Sequence, residues 1–157
     1  MERSDSRLAD ILLRFWSWAG YDARSFSADG FACVDEKEPF YFPELSEMRE
    51  LCYACESGIL SAREAEDYLT CMALDNEEEY ILDHCAQCAP DDFILSIAQA
   101  SLGHVQWNAR WQIAELLGRR RMPQAEELLD RLSQDSHPYV RRRAKNMREA
   151  INASELV

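Results

Sequence analysis

The chain is 157 residues long, 47% hydrophobic and 29% charged, which fits one packed globular domain and excludes a disordered tail. At this length roughly 68–70% of the unfolded surface can be buried, so folding requires neither a metal nor a disulfide. The formal net charge of −12 argues against unaided binding to DNA, RNA or an anionic membrane, and favours a basic protein partner.

Nearly every segment with a clear period reads as helix, and five Gly with five Pro are too few for a turn-rich β-sandwich or a Gly-rich phosphate binder. From Asp5 to Ala19, the residues Leu8, Ile11, Leu12, Phe15 and Trp16 share one face, with Ser4 or Asp5 as N-cap and Gly20 as the left-handed C-cap. Residues 21–43 lose the pattern. They read as a long connection that lays its aromatics on the body, with a short extended, strand-like piece at Phe40-Tyr41-Phe42 between Pro39 and Pro43. Periodicity returns at Pro43, with Leu45, Met48, Leu51, Cys52 and Cys55 in one stripe that Ser57-Gly58 closes. Ser61 and Glu64 then form a capping-box pattern ahead of Ala65, Tyr68, Leu69 and Met72. A further helix is predicted from Asp75 or Asn76, with Glu77, Glu78 and Glu79 in its first turn, where the helix dipole favours acids, and Pro90 as its stop. Four more follow at about 91–102, 105–118, 122–133 and 137–151, separated by Gly103, Gly118 and the turn Gln134–Ser136. Such short loops predict antiparallel neighbours.

The charge is divided along the chain. Residues 1–100 hold 7 basic and 22 acidic side chains, a net of −15, whereas residues 101–157 hold 10 and 7, a net of +3. The expectation is one all-helical domain over 1–157, with an acidic helical part at 1–90 and a mildly basic end. The opening Met1-Glu2-Arg3-Ser4-Asp5 has mixed charge, and Asp10 and Arg14 interrupt the apolar residues after it, unlike a signal peptide. The longest uncharged stretch, between Asp92 and Arg110, carries Ser, Gln, His and Asn and does not read as a membrane span. These features predict a cytoplasmic protein whose six cysteines are reduced.

A shift of 31 residues aligns Ala109-Arg110-Trp111-Gln112-Ile113 with Val140-Arg141-Arg142-Arg143-Ala144, Leu116 with Met147, and His104 with Asp135. Within 91–151 the run Leu128 to Ala144 resembles the HEAT-repeat signature: an apolar helix ending near an Asp, a tight turn, then Val-Arg and an Ala one turn later. Asn108-Ala109-Arg110 stands in for the Val-Arg start in the preceding unit. The resemblance implies an all-α stack of antiparallel helical hairpins, an α-solenoid that is HEAT-like at its C-terminal end. It also implies a surface that grips another protein, and it carries no chemistry of its own.

Candidate sites divide by residue type. Cys52-x-x-Cys55 and Cys85-x-x-Cys88, with His84 beside the second pair, have zinc-ligand spacing. However, the 29 residues between the pairs exceed the usual span of about 15–20. Cys52 and Cys55 also continue an apolar stripe, so buried thiols are the favoured reading and no metal or other cofactor is assigned. His84, His104 and His137 are the only histidines, and no Gly-x-Ser-x-Gly, His-Glu-x-x-His, Walker or dinucleotide motif occurs, so no catalytic residue is assigned and an enzyme is not expected. Arg119-Arg120-Arg121 and Arg141-Arg142-Arg143 read as helix-end and solvated cations, or as partners for the acidic half, rather than as a nucleic-acid footprint.

The candidate partner-binding residues are Asp35, Glu36, Glu38, Glu44, Glu47, Glu64, Asp67, Glu77, Glu78 and Glu79, with Trp18 and Trp107 as aromatic anchors. Together these features point to a non-enzymatic acidic inhibitor. In concrete form it is an immunity protein that covers the basic cleft of a cognate toxin such as a nuclease. A general HEAT-like scaffold, adaptor or chaperone is the alternative, and a zinc-stabilised regulatory module the third.

Overall fold

The computed structural model describes residues 6–29 and 37–155, and among them it is all-helical, with no strand. The helices are α1 (Arg7–Ala19), α2 (Ala23–Asp29), α3 (Leu45–Cys55), α4 (Ala62–Leu74), α5 (Tyr80–Cys88), α6 (Asp91–Ser101), α7 (Trp107–Arg120), α8 (Ala125–Leu132) and α9 (Pro138–Glu155). They form stacked antiparallel hairpins around one continuous core.

Local chemistry sets the boundaries. Ser6 caps α1, its hydroxyl accepting from the Leu8 N–H at 3.2 Å, while the expected caps Ser4 and Asp5 lie outside the described residues. Gly20 closes the helix at φ 72°, donating its N–H to the Trp16 carbonyl. Of the predicted stripe, Leu8, Ile11, Leu12 and Phe15 are buried and Ala19 joins them, whereas Trp16 is half-buried at the edge of the core. The capping box of α4 is complete: the Ser61 hydroxyl accepts from the Glu64 N–H, and the Glu64 carboxylate accepts from the Ser61 N–H at 2.8 Å.

Three expectations are corrected. Among the described residues of 21–43 the chain forms α2 and a 3-10 turn at Pro39–Tyr41, where the strand-like piece was expected. The Asp22 carboxylate starts α2 by accepting from the Ser25 N–H at 2.9 Å, and Phe26 anchors it in the core. Phe42 enters the core edge-on to Phe15 at 5.2 Å, whereas Phe40 and Tyr41 stay exposed. Second, Glu77–Glu79 precede α5 instead of forming its first turn. Asp75 ends α4, and its buried carboxylate accepts from the Ile81 N–H at 2.8 Å, so the helix can begin only after Glu79, which sits at φ 58°. Third, Gly118 does not separate helices: α7 runs on to Arg120 and caps at Arg121, φ 51°. A Cβ at Gly118 would lie 2.5–2.9 Å from Met147 of α9, so the glycine serves close helix packing.

Helix α7 is the hub, touching α4, α5, α6, α8 and α9. Every residue from Asn108 to Leu117 except Glu115 is buried. Its buried Gln112 donates to the Met72 carbonyl of α4 at 2.8 Å and to the Asn108 carbonyl at 2.9 Å.

The 31-residue shift also holds in hydrogen-bond geometry. Arg110 donates to the His104 carbonyl and Arg141 to the Asp135 carbonyl, each at 2.7 Å. His104 Nδ1 accepts from the N–H two residues on, at 3.1 Å, and Asp135 Oδ1 does the same at 2.8 Å. Arg110 then spans both units, binding the Asp135 carboxylate through Nε at 2.7 Å and Nη2 at 3.0 Å. Among the described residues, no helix is long and apolar enough to cross a membrane.

Candidate protein-binding surface

Many of the predicted acidic residues are engaged within the chain. Asp35 and Glu36 lie outside the described residues. Glu38 is half-buried ahead of the 3-10 turn. Glu44 and Glu47 both bind Arg14 of α1, at 2.5 and 3.2 Å. Glu64 is committed to its capping box. Asp67 is half-buried, and burial raises its carboxyl above the ordinary range against the opposing pull of Arg63. Glu78 takes Arg49 at 3.1 Å, an arginine that also reaches the buried Asp75 and lies over the Tyr80 ring. Glu79, its pKa raised by burial, faces Arg119 at 3.8 Å. Glu77 alone of that run is exposed without an ion pair or hydrogen bond among the described residues.

The aromatic anchors are likewise packed. Trp18 lies half-buried against Phe15 and Phe42, with the Lys37 ammonium 4.7 Å from its ring centre. Trp107 stacks on His137 with centroids 4.1 Å apart and planes 3° from parallel, and meets Tyr139 edge-on. The arginine runs pair with the acidic half: Arg119 binds Asp83 at 2.6 Å and Arg120 binds Asp91 at 2.5 Å. Glu115 of α7 holds Arg143 of α9.

The cysteine pairs do not converge. Among the described residues, no group of three or more His, Cys, Asp or Glu side chains could hold a metal ion. Cys52 and Cys85 are buried, Cys55 is half-buried and Cys88 is exposed. Burial pushes the Cys85 thiol up to about 12 and the Cys52 thiol up as well, which opposes the thiolate that zinc requires.

A polar cluster at the α3–α4–α5 junction escaped sequence reasoning. The buried Glu56 carboxylate accepts from the Tyr68 hydroxyl at 2.8 Å and pairs with His84 Nδ1 at 2.7 Å, and the His84 ring stacks on Tyr53 at 4.0 Å. Burial raises the Glu56 pKa, opposed by its two hydrogen-bonding partners. The available signal was position: Glu56 stands one turn beyond Cys52 on the core-facing stripe, where a carboxylate demands buried donors. Through these two bonds the cluster ties the C-terminal end of α3 to α4 and α5.

No protein-family profile, curated protein or solved structure matches this chain.

Proposed function

We propose that the chain is a non-enzymatic binding protein whose acidic N-terminal body receives a basic protein, most concretely an immunity protein that covers the cleft of a cationic toxin. The observation that supports it most is the surplus left after in-chain pairing. Glu50, Glu77 and Asp92 are exposed with no ion pair or hydrogen bond among the described residues, in a segment of net charge −15. Unpaired carboxylates in a segment of this charge gain when a cation arrives, and such fields accelerate encounter with a basic partner. The 31-residue repeat supports a HEAT-like stack as the frame that presents them.

The test is affinity purification of the tagged chain at about 0.01 M and about 1 M salt, across which the screening length falls from roughly 30 to 3 Å. A basic protein in one-to-one ratio at low salt, depleted at high salt and by Glu50→Lys with Glu77→Lys, is the expected result. A partner retained equally at both salts and by the double variant would overturn the reading. That outcome would favour the scaffold alternative.

A further inference from the structure

Ile59 is 100% exposed, in the loop joining α3 to α4. Turns select Gly, Asn, Asp, Ser and Pro for their backbone preferences, and nothing in turn geometry calls for a bare β-branched side chain. Ile59 stands on the rim of a groove of about 410 Å³ between that loop and the start of α6, lined by Gly58, Leu60, Pro90, Asp92 and Phe93 among others. Phe93 is held by the core, edge-on to Tyr68 at 5.2 Å, so the floor is fixed before anything docks. Asp92 is the one charged side chain in the lining and has no ion pair among the described residues. The neighbouring cation is already spent: Arg120 binds Asp91 and the Ala89 carbonyl, each at 2.5 Å.

We infer that this groove is the anchor point of the partner, taking a leucine-sized apolar side chain from a basic amphipathic segment whose Lys or Arg neighbours meet Asp92. An apolar slot with a carboxylate at its edge is complementary to that chemistry, and interfaces concentrate their affinity in such desolvated central positions. The inference rests on the acidic-body reading for the sign of the partner's charge, and adds where the partner's apolar contact falls.

The probe is a fluorescently labelled synthetic peptide of Lys and Leu in amphipathic helical order, titrated by anisotropy at low and high salt. The variants are Ile59→Asp, Ser96→Arg at the groove lining, and Leu13→Asp as a control on the exposed side of α1. All three positions are solvent-exposed, and circular dichroism confirms that the variants fold. The expected result is a loss of about tenfold or more in affinity for Ile59→Asp and Ser96→Arg, with Leu13→Asp unchanged. Equal, salt-sensitive binding by all variants overturns the groove and leaves the acidic body standing. Ile59-dependent binding that ignores salt keeps the groove and overturns the acidic body, and no binding to the wild type overturns both. Self-association of the wild type that Ile59→Asp abolishes in sedimentation would place a second copy in the groove and overturn the assignment.

Discussion

His104 shows how one buried side chain couples this fold to pH. The Gln106 N–H can only donate, so Nδ1 must accept, and the ring proton sits on Nε2, facing Thr70 Oγ1 at 3.3 Å and Glu66 at 3.5 Å. Charging the ring would break the first bond and place a cation in a buried site, and burial lowers the pKa from 6.5 to about 4. A depressed pKa contributes stability that is present above 6.5 and is lost as pH falls toward 4, because the unfolded chain takes up a proton that the folded chain refuses. Glu56 and Asp75 have raised pKa values and act in the opposite sense, contributing most below the ordinary carboxylate range and less as pH rises through their folded values. The His104 share must therefore be read by difference. His104→Asn keeps an acceptor for the Gln106 N–H, the role Asp135 fills in the next unit. Urea unfolding at several pH values between about 7 and 4 should show the wild type losing on the order of 3 kcal/mol relative to this variant. Parallel pH profiles would refute the assignment.

At the scale of elements, the Gly20 C-cap of α1 and the Ser61–Glu64 capping box of α4 were legible, whereas the N-cap of α1 falls on Ser6 instead of the expected Ser4 or Asp5. Boundaries set by a distant residue were not. Asp75 delays α5 by accepting from Ile81, a bond across a turn that no local pattern announces. Gly118 was misread because a glycine near the end of a periodic segment looks like a terminator, whereas its true cause, Met147, lies 29 positions further on. This gives a sharp prediction. In an isolated helix Gly→Ala gains up to about 1 kcal/mol, but here the new methyl meets Met147 Cβ at 2.9 Å, and an atom so near the backbone cannot swing away. Overpacking costs typically 1–3 kcal/mol, so Gly118→Ala should destabilise in spite of helix propensity. Met147→Ala removes the Sδ and Cγ contacts at 2.5 and 2.8 Å and leaves the Cβ contact, so it relieves the clash in part, and the double variant should be more stable than the two single losses add up to, a coupling that thermal or urea unfolding of the four proteins measures directly.

For the whole molecule, charge is the quantity that sequence conveyed in total but not in arrangement. The split of −15 and +3 could be counted, yet the neutralisation of Glu44, Glu47, Glu78 and Glu79 depends on Arg14, Arg49 and Arg119 arriving from other helices. The groove at Ile59 was invisible for the same reason, since it forms only where two loops distant in sequence meet. What remains is a body whose exposed ion pairs are each worth about 0–1 kcal/mol, set against the self-repulsion of a net charge of −12. Screening weakens both, but repulsion sums over many more pairs than attraction does. The melting temperature should therefore rise between about 0.01 and 0.15 M salt. Glu50→Lys and Glu77→Lys, which remove acids that have no ion pair or hydrogen bond among the described residues, should raise it at low salt, whereas Asp83→Lys should lower it by setting a cation against Arg119. If the first two variants melt lower than wild type, those carboxylates are structural and cannot be a surplus held for a partner. If they melt higher and also weaken the basic ligand, the same residues trade stability for binding, as a preformed docking surface must.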